Sequence, residues 1–179
     1  MLFLPTEIDG VWIVEAEPRS DERGVFARVW CEQEFAARGL DTRLVQANTA
    51  FNHRRGTVRG MHYQHAPADE VKLVRCTQGA LFDVALDLRA DSPTYRTWVG
   101  VDLSAANRRM LYIPRGCAHG YQTLQDGTEL WYGTSHAYVP SAATGVRHDD
   151  PAFGITWPEP VSVISAADAG WPYLQLTSS

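Results

Sequence analysis

The stretch Gly56-Thr-Val-Arg59-Gly60-Met-His62-Tyr63-Gln64, followed closely by Lys72-Leu-Val-Arg75, gathers one histidine, one lysine and two arginines into what reads as a β-hairpin. An imidazole beside an ammonium group suits an enzyme that removes a proton next to a carbonyl: the base takes the proton and the cation holds the negative oxygen that results. On an ideal strand Val58, Gly60, His62 and Gln64 share one face, and Arg59, Met61 and Tyr63 the other. Lys72 shares a face with Val74 and Cys76, so pairing of the two strands puts it near His62. A cation there favours the neutral imidazole that a base needs. The same residues also fit a core histidine with one hydrogen bond and a lysine at a solvated strand end.

A second cluster is Ile113-Pro114-Arg-Gly116-Cys-Ala-His119-Gly120, where proline and glycine make a tight turn and the next strand opens with a histidine. The Pro-x-Gly-x-x-His spacing resembles the second motif of metal-binding cupins. Their first motif supplies His-x-His, whereas here His62 is followed two residues on by Gln64, and Lys72 sets a positive charge beside any cation. No metal ligand set is therefore assigned. A third cluster runs Glu129-Leu-Trp131-Tyr132-Gly-Thr-Ser-His136-Ala-Tyr138-Val-Pro140, in which Tyr132, His136 and Tyr138 share strand parity. Such tyrosines pack within sheets, or face a pocket as a proton donor or as a platform for a base or sugar. Asp168, in Ile164-Ser-Ala-Ala-Asp168, reads by default as a helix-capping or exposed residue. It matters because a general-base histidine needs a carboxylate to fix its tautomer.

The elements that must position these residues are mostly strands. Short apolar runs punctuated by turn residues predict strands at 11–14, 25–30, 43–50, 57–65, 71–77, 80–88, 96–103, 109–113, 118–124 and 129–138. One helix is predicted over Cys31 to Arg38, ending before Gly39. Within 80–88, Phe82, Val84, Leu86 and Leu88 alternate with Leu81, Asp83, Ala85 and Asp87, so both faces carry mixed chemistry, as in a sheet curled around a semi-polar pocket. The tail from Ala143 reads as loops with a short final helix. The architecture expected is mainly β, a double-stranded β-helix or jelly roll. At 179 residues it forms a single domain over 1–179, with a core at about 20–140 and a C-terminal loop and helix segment at 141–179.

With 45% hydrophobic and 21% charged residues and a net charge of −5, the chain carries no electrostatic footprint for nucleic acid. Its first residues, Met-Leu-Phe-Leu-Pro-Thr-Glu, lack the basic start of a secretory signal, and no run is long enough to cross a bilayer, so no membrane partner is expected. Cys31, Cys76 and Cys117 form no metal-type pair and read as free thiols of a cytoplasmic protein.

Taken together these segments resemble the dTDP-4-dehydrorhamnose 3,5-epimerase family of cupin-like sugar-nucleotide epimerases. The resemblance runs through Asp21-Glu-Arg23-Gly24, Val45-Gln46-Ala-Asn48, Gly56 to Gln64, Lys72-Leu-Val-Arg75 and Phe82-Asp83-Val-Ala. It continues through Trp98 to Ser104, Ile113 to Gly120, Tyr132, Tyr138-Val-Pro140, Asp149-Asp150-Pro151, Ile155-Thr-Trp157-Pro158 and Ser165 to Asp168. It implies an isomerase without a cofactor, a homodimer, acting on a nucleotide-diphosphate 4-keto-6-deoxy sugar. By that resemblance His62 is the base, Asp168 orients it, Tyr132 returns a proton from the opposite face, and Lys72 stabilises the enolate oxygen. Arg59 and His119 contact the diphosphate-sugar, Arg23 the phosphates, and Tyr138 the sugar or nucleotide pocket; Gln46, Asn48 and Asp83 complete the binding set.

Arg59 and His62 fall on opposite faces of an ideal strand, and a bulge at Gly60 would turn both toward one pocket. Arg28, Ala47, Gly133, Ala143 and Ala167 depart from the family's usual residues. These departures predict a preference for some nucleotide-linked sugar other than dTDP-4-keto-6-deoxyglucose. The alternatives are a mono-epimerase or ketoisomerase, a metal-dependent cupin dioxygenase, and a non-catalytic sugar-nucleotide-binding protein.

Overall fold

The computed structural model describes residues 1–174. The chain opens with β1 (Leu2–Pro5) and β2 (Trp12–Glu15), a small hairpin of β3 (Arg19–Asp21) and β4 (Gly24–Phe26), and the helix α1 (Glu32–Ala36). Then come β5 (Gln46–Asn52), β6 (Val58–Gln64), β7 (Lys72–Gln78), β8 (Ala80–Asp87), β9 (Trp98–Ser104), β10 (Met110–Ile113), β11 (Cys117–Thr123) and β12 (Thr128–Thr134). β13 (Ala143–Gly145) and α2 (Ala166–Ala169) lie in the C-terminal segment. Two antiparallel sheets result, a six-stranded one in the order β1-β2-β10-β7-β12-β5 and a five-stranded one in the order β13-β6-β11-β8-β9. Most consecutive strands from β5 to β12 alternate between the sheets, which is the winding of a jelly roll.

Between the sheets, Val74, Cys76, Leu111 and Leu130 of one meet Leu81, Ala85, Val101 and Leu103 of the other, all almost fully buried. This apolar plug fills one end of the sandwich and leaves the other end free for a polar pocket. The outer face of the five-stranded sheet is not solvated. Val84 and Leu86 of β8, with Phe82 beside them, pack against Phe153, Ile155 and Trp157 of the C-terminal segment. That cover explains why β8 is apolar on its second face.

Several elements differ from expectation. β6 and β7 do not form a hairpin: they belong to different sheets, and Lys72 reaches His62 across the sandwich rather than along a ladder. The strand expected at 25–30 ends at Phe26, because Val29 and Trp30 pack with Phe35 of α1 instead of pairing. α1 stops at Ala36, two residues short, and Gly39 turns the chain at φ +71°. β12 stops at Thr134, so His136 and Tyr138 leave the sheet. β1, β3 and β13 were not expected; each is short, and β1 contains a proline and β13 a glycine. The three cysteines are free. Among the described residues no helix is long and apolar enough to cross a membrane.

Candidate active site

Strand register sets the site. Tyr132 of β12 lies opposite Asn48 of β5 and Val74 of β7, and Thr134 lies opposite Gln46 and Lys72. Residues opposed in a ladder point the same way, so Gln46, Asn48, Lys72 and Tyr132 all project from the six-stranded sheet into the sandwich. On the facing sheet, His62 pairs with His119 and Arg59 with Tyr121. His119 and Tyr121 are two residues apart and share a face, whereas their partners on β6 are three apart. One extra residue on β6 absorbs the mismatch, and Arg59 and His62 therefore face one pocket. Gly60 makes this possible: its φ is +126°, and a Cβ there would stand 2.5 Å from Gly120 Cα and 2.8 Å from the His119 carbonyl oxygen. Met61, freed from the pocket, enters the outer apolar cluster.

The pocket has a volume of about 680 Å³ and is lined from both sheets and from α2. His62 Nε2 donates to Asp168 Oδ1 at 2.6 Å, and the Gly60 amide donates to Asp168 Oδ2 at 3.3 Å. Asp168 is 5% exposed and not the solvated capping residue that its sequence context suggests. Ser165 accepts from the Asp168 amide and starts α2, which aims the carboxylate inward. Burial works against the Asp168 carboxylate, but its bonds from His62 and Gly60 hold it below its ordinary pKa. A carboxylate only accepts, so in the neutral imidazole of His62 the proton sits on Nε2 and Nδ1, which no described residue bonds, is the basic nitrogen.

Lys72 Nζ donates to the His62 carbonyl oxygen at 3.0 Å and lies 3.1 Å from Glu70 Oε1. Burial pulls the Lys72 pKa below its ordinary value while Glu70 and Asp83 oppose this. The Tyr132 phenol is pushed up by burial, against Arg59, so it keeps its proton. His119 Nε2 bonds Asp83 Oδ1 at 2.7 Å, and burial raises the Asp83 carboxyl against the pull of His119. Arg59 Nε donates to Asn52 Oδ1 at 3.0 Å, and Asn48 Nδ2 is a buried donor with no partner among the described residues. Burial pushes Cys76 up to about 11 and Cys117 up to about 12, so neither thiol is a nucleophile at neutral pH.

The pocket thus brings together His62, Lys72, Tyr132 and Asp168 with Gln46, Asn48, Arg59, His119 and Tyr138. Asp83 stands behind His119 rather than at the wall. Arg23 does not join them within this chain. It occupies the turn between β3 and β4, its side chain 85% exposed and paired with Asp21. Sequence reasoning missed Glu70 and Tyr121, both of which line the pocket. Period-two parity with Lys72 was the available signal for Glu70. Of the five departures, Ala47 and Gly133 face outward opposite each other and Arg28 pairs with Glu34 elsewhere; only Ala143 and Ala167 line the pocket. Among the described residues no three His, Cys, Asp or Glu side chains cluster to hold a metal ion.

The family model described as dTDP-4-dehydrorhamnose 3,5-epimerase matches residues 5–175. The chain belongs to this family of epimerases. The dTDP-4-dehydrorhamnose 3,5-epimerase of Sinorhizobium fredii is 42% identical over 97% of this chain and 90% of its own length. A family member from Streptomyces niveus, named dTDP-4-dehydrorhamnose 3-epimerase, is 40% identical over 94% of this chain and 81% of its own. The crystal structure of the Bacillus anthracis 3,5-epimerase with TDP and pyrophosphate bound superposes with a TM-score of 0.93 at 34% identity, covering 97% of this chain and 99% of that one.

Proposed function

We propose that this epimerase inverts both C3 and C5 of a dTDP-linked 4-keto-6-deoxyhexose, with the acid–base chemistry supplied by side chains. One observation carries the reading: the base and the acid come from opposite sheets, His62 on β6 and Tyr132 on β12, so a sugar held between them has one on each face. His62 Nδ1 takes the proton from a carbon beside the C4 ketone, and Asp168 stabilises the imidazolium that forms. The electrons move onto the ketone oxygen, where the buried Lys72 ammonium faces the developing charge. Tyr132, kept protonated by its burial, delivers a proton to the carbon from the other side, and the centre inverts.

Arg59 and His119 supply cationic and hydrogen-bonding contacts for the diphosphate-sugar. Gln46, Asn48 and Tyr138 line the remaining wall, with the unpartnered Asn48 amide free to donate to the ligand. Thymidine is the base proposed, because three of the five departures point away from the pocket and leave little ground for a different nucleotide. Incubation with dTDP-4-keto-6-deoxyglucose in heavy water, followed by position-resolved NMR, tests the reading: deuterium enters at C3 and C5 of the product. Deuterium at C3 alone would instead identify a mono-epimerase, a reading favoured by the similarity to the Streptomyces niveus enzyme.

The same reading includes a homodimer in the cytoplasm. Support comes from Val25 and Phe26, 47% and 73% exposed on the β3–β4 hairpin next to Arg23, and from Leu2 and Leu4 of β1, 51% and 41% exposed. These apolar groups suit burial against a second copy, with Arg23 then offered to the neighbouring pocket. Light scattering of wild type and Phe26→Asp measures the assembly; a monomeric, fully active wild type would contradict it.

A further inference from the structure

Lys72 is the only lysine among 16 lysines and arginines. Every arginine stays charged at any accessible pH, so the one cation of this set that can lose its proton sits in the pocket wall, 7% exposed. An ammonium removed from water tends to become a neutral amine, and a neutral amine stabilises no enolate. Glu70 is the nearest group opposing this. Its side chain is 6% exposed, with Oε1 3.1 Å from Lys72 Nζ and Oε2 accepting from Gln64 Nε2 at 2.7 Å.

Gln64 cannot turn round. Its Oε1 accepts from the Val139 amide at 2.7 Å, and its Nε2 also donates to the Ala68 carbonyl oxygen at 2.8 Å. Both partners of Glu70 are therefore donors. A carboxylate accepts from both, whereas a glutamine at position 70 has one accepting oxygen and one donating NH2, and sets a donor against a donor whichever way it turns. The remaining bond of Lys72 goes to the carbonyl oxygen of His62, so the same contact ties the cation to the residue that carries the base.

Asp83 of β8, tied to His119 of β11, is a second and weaker negative influence on Lys72. His62 with Asp168, and also Arg59, Tyr132 and His136, face the same pocket. Among the described residues none of these side chains accepts a hydrogen bond from Nζ. We propose that Glu70 is a positioning residue that anchors the Lys72 ammonium and keeps it charged and, given the enolate role proposed for Lys72, sets the alkaline pH at which turnover fails.

A single lysine gives the test an unambiguous reporter. Protein labelled with carbon-13 and nitrogen-15 lysine, and free of any lysine-bearing tag, shows one Cε/Hε signal to follow against pH in wild type, E70Q, E70A and E70D. The expected result is that Lys72 in E70Q and E70A loses its proton about one pH unit or more below wild type, while the charge-retaining E70D stays close to wild type. The alkaline limb of kcat on the dTDP-linked 4-keto sugar moves by the same amount, whatever the height of the plateau below it. E70A carries no amide to clash with Lys72, so it reports even where E70Q folds poorly. Following Lys72 itself separates its titration from that of the Tyr132 phenol, which also ends turnover at high pH. Coincident Lys72 titrations in wild type, E70Q and E70A, or an alkaline limb at the same pH in all three, would overturn the proposal. A Glu70-dependent titration in a protein that turns over no 4-keto sugar nucleotide would uphold the Glu70–Lys72 link and count against epimerisation.

Discussion

Replacing Asp168 with asparagine probes the pairing on which the proposed base would depend. The carboxylate is 8% exposed and 2.6 Å from His62 Nε2. Asparagine keeps the shape but can offer its NH2 to Nε2, which reverses the tautomer and puts the proton on Nδ1, the nitrogen that must receive one. Even in the productive tautomer, the imidazolium formed by proton abstraction loses its counter-charge. Two unit charges about 4 Å apart at an effective dielectric of about 20 attract by roughly 4 kcal/mol. At about 1.4 kcal/mol per factor of ten, that is on the order of 10³-fold in rate, within the range of about 10²–10⁴ that a positioned base supplies. Deuterium wash-in at C3 and C5, measured by NMR under saturating substrate, should fall by about that factor. KM should move little, because Arg59, Gln46 and Asn48 are untouched. A folded D168N protein that kept more than about a tenth of wild-type exchange would show that Asp168 does not orient the base.

Lys72→Met removes the charge facing the enolate and should cost about 10²–10³-fold in kcat; a change in KM alone would make Lys72 a phosphate-binding residue instead. Tyr132→Phe should slow net inversion more than it slows loss of the substrate proton, and equal slowing of both would assign Tyr132 to binding or packing. Gly60→Ala forces a Cβ to 2.5 Å from Gly120 Cα at a φ of +126°. Backbone strain of this kind costs about 1–3 kcal/mol before the clash is added, so a clear fall in Tm is expected, and an unchanged Tm would mean that β6 accommodates the methyl by some other route. Asp168 titrates below its ordinary value of 3.8, so it contributes stability that is present above that pH and is lost as the pH falls through its folded value. Urea unfolding should therefore show wild type losing stability more steeply than D168N as the pH is lowered below about 4; parallel curves would deny the linkage.

The fold class was legible because short apolar runs punctuated by turn residues mark the strands locally, and most of the expected runs coincide with observed strands. Placement of strands between sheets was not legible. Nothing local to Gln64 or Lys72 says that the chain crosses the sandwich between them, and two strands close in sequence are most simply read as a hairpin. A bulge at Gly60 turning Arg59 and His62 to one face is expected only because the family resemblance assigns both residues to one pocket; strand parity alone separates them. The partner of His62 could not be found by periodicity, since Asp168 lies 106 residues away on a four-residue helix with no amphipathic signal. Glu70 was within reach of parity with Lys72 but lies one residue before the strand expected at 71–77. The outward facing of Ala47 and Gly133 follows from register with Tyr132, which a single sequence does not fix.

The C-terminal segment joins the pocket late in the chain. Thr57 bridges to Val163, the Val58 amide bonds the Val163 carbonyl, and the Ser162 amide bonds the Gly56 carbonyl, so residues 162–163 clamp the start of β6 just before α2 brings Asp168 to His62. Every strand and His62 precede Asp168 in the chain, so the proposed base is synthesised before the carboxylate that fixes its tautomer. A chain interrupted between β13 and α2 contains every strand, yet carries His62 without the carboxylate that fixes its tautomer. The proposed acid–base chemistry is thereby tied to completion and docking of the last segment.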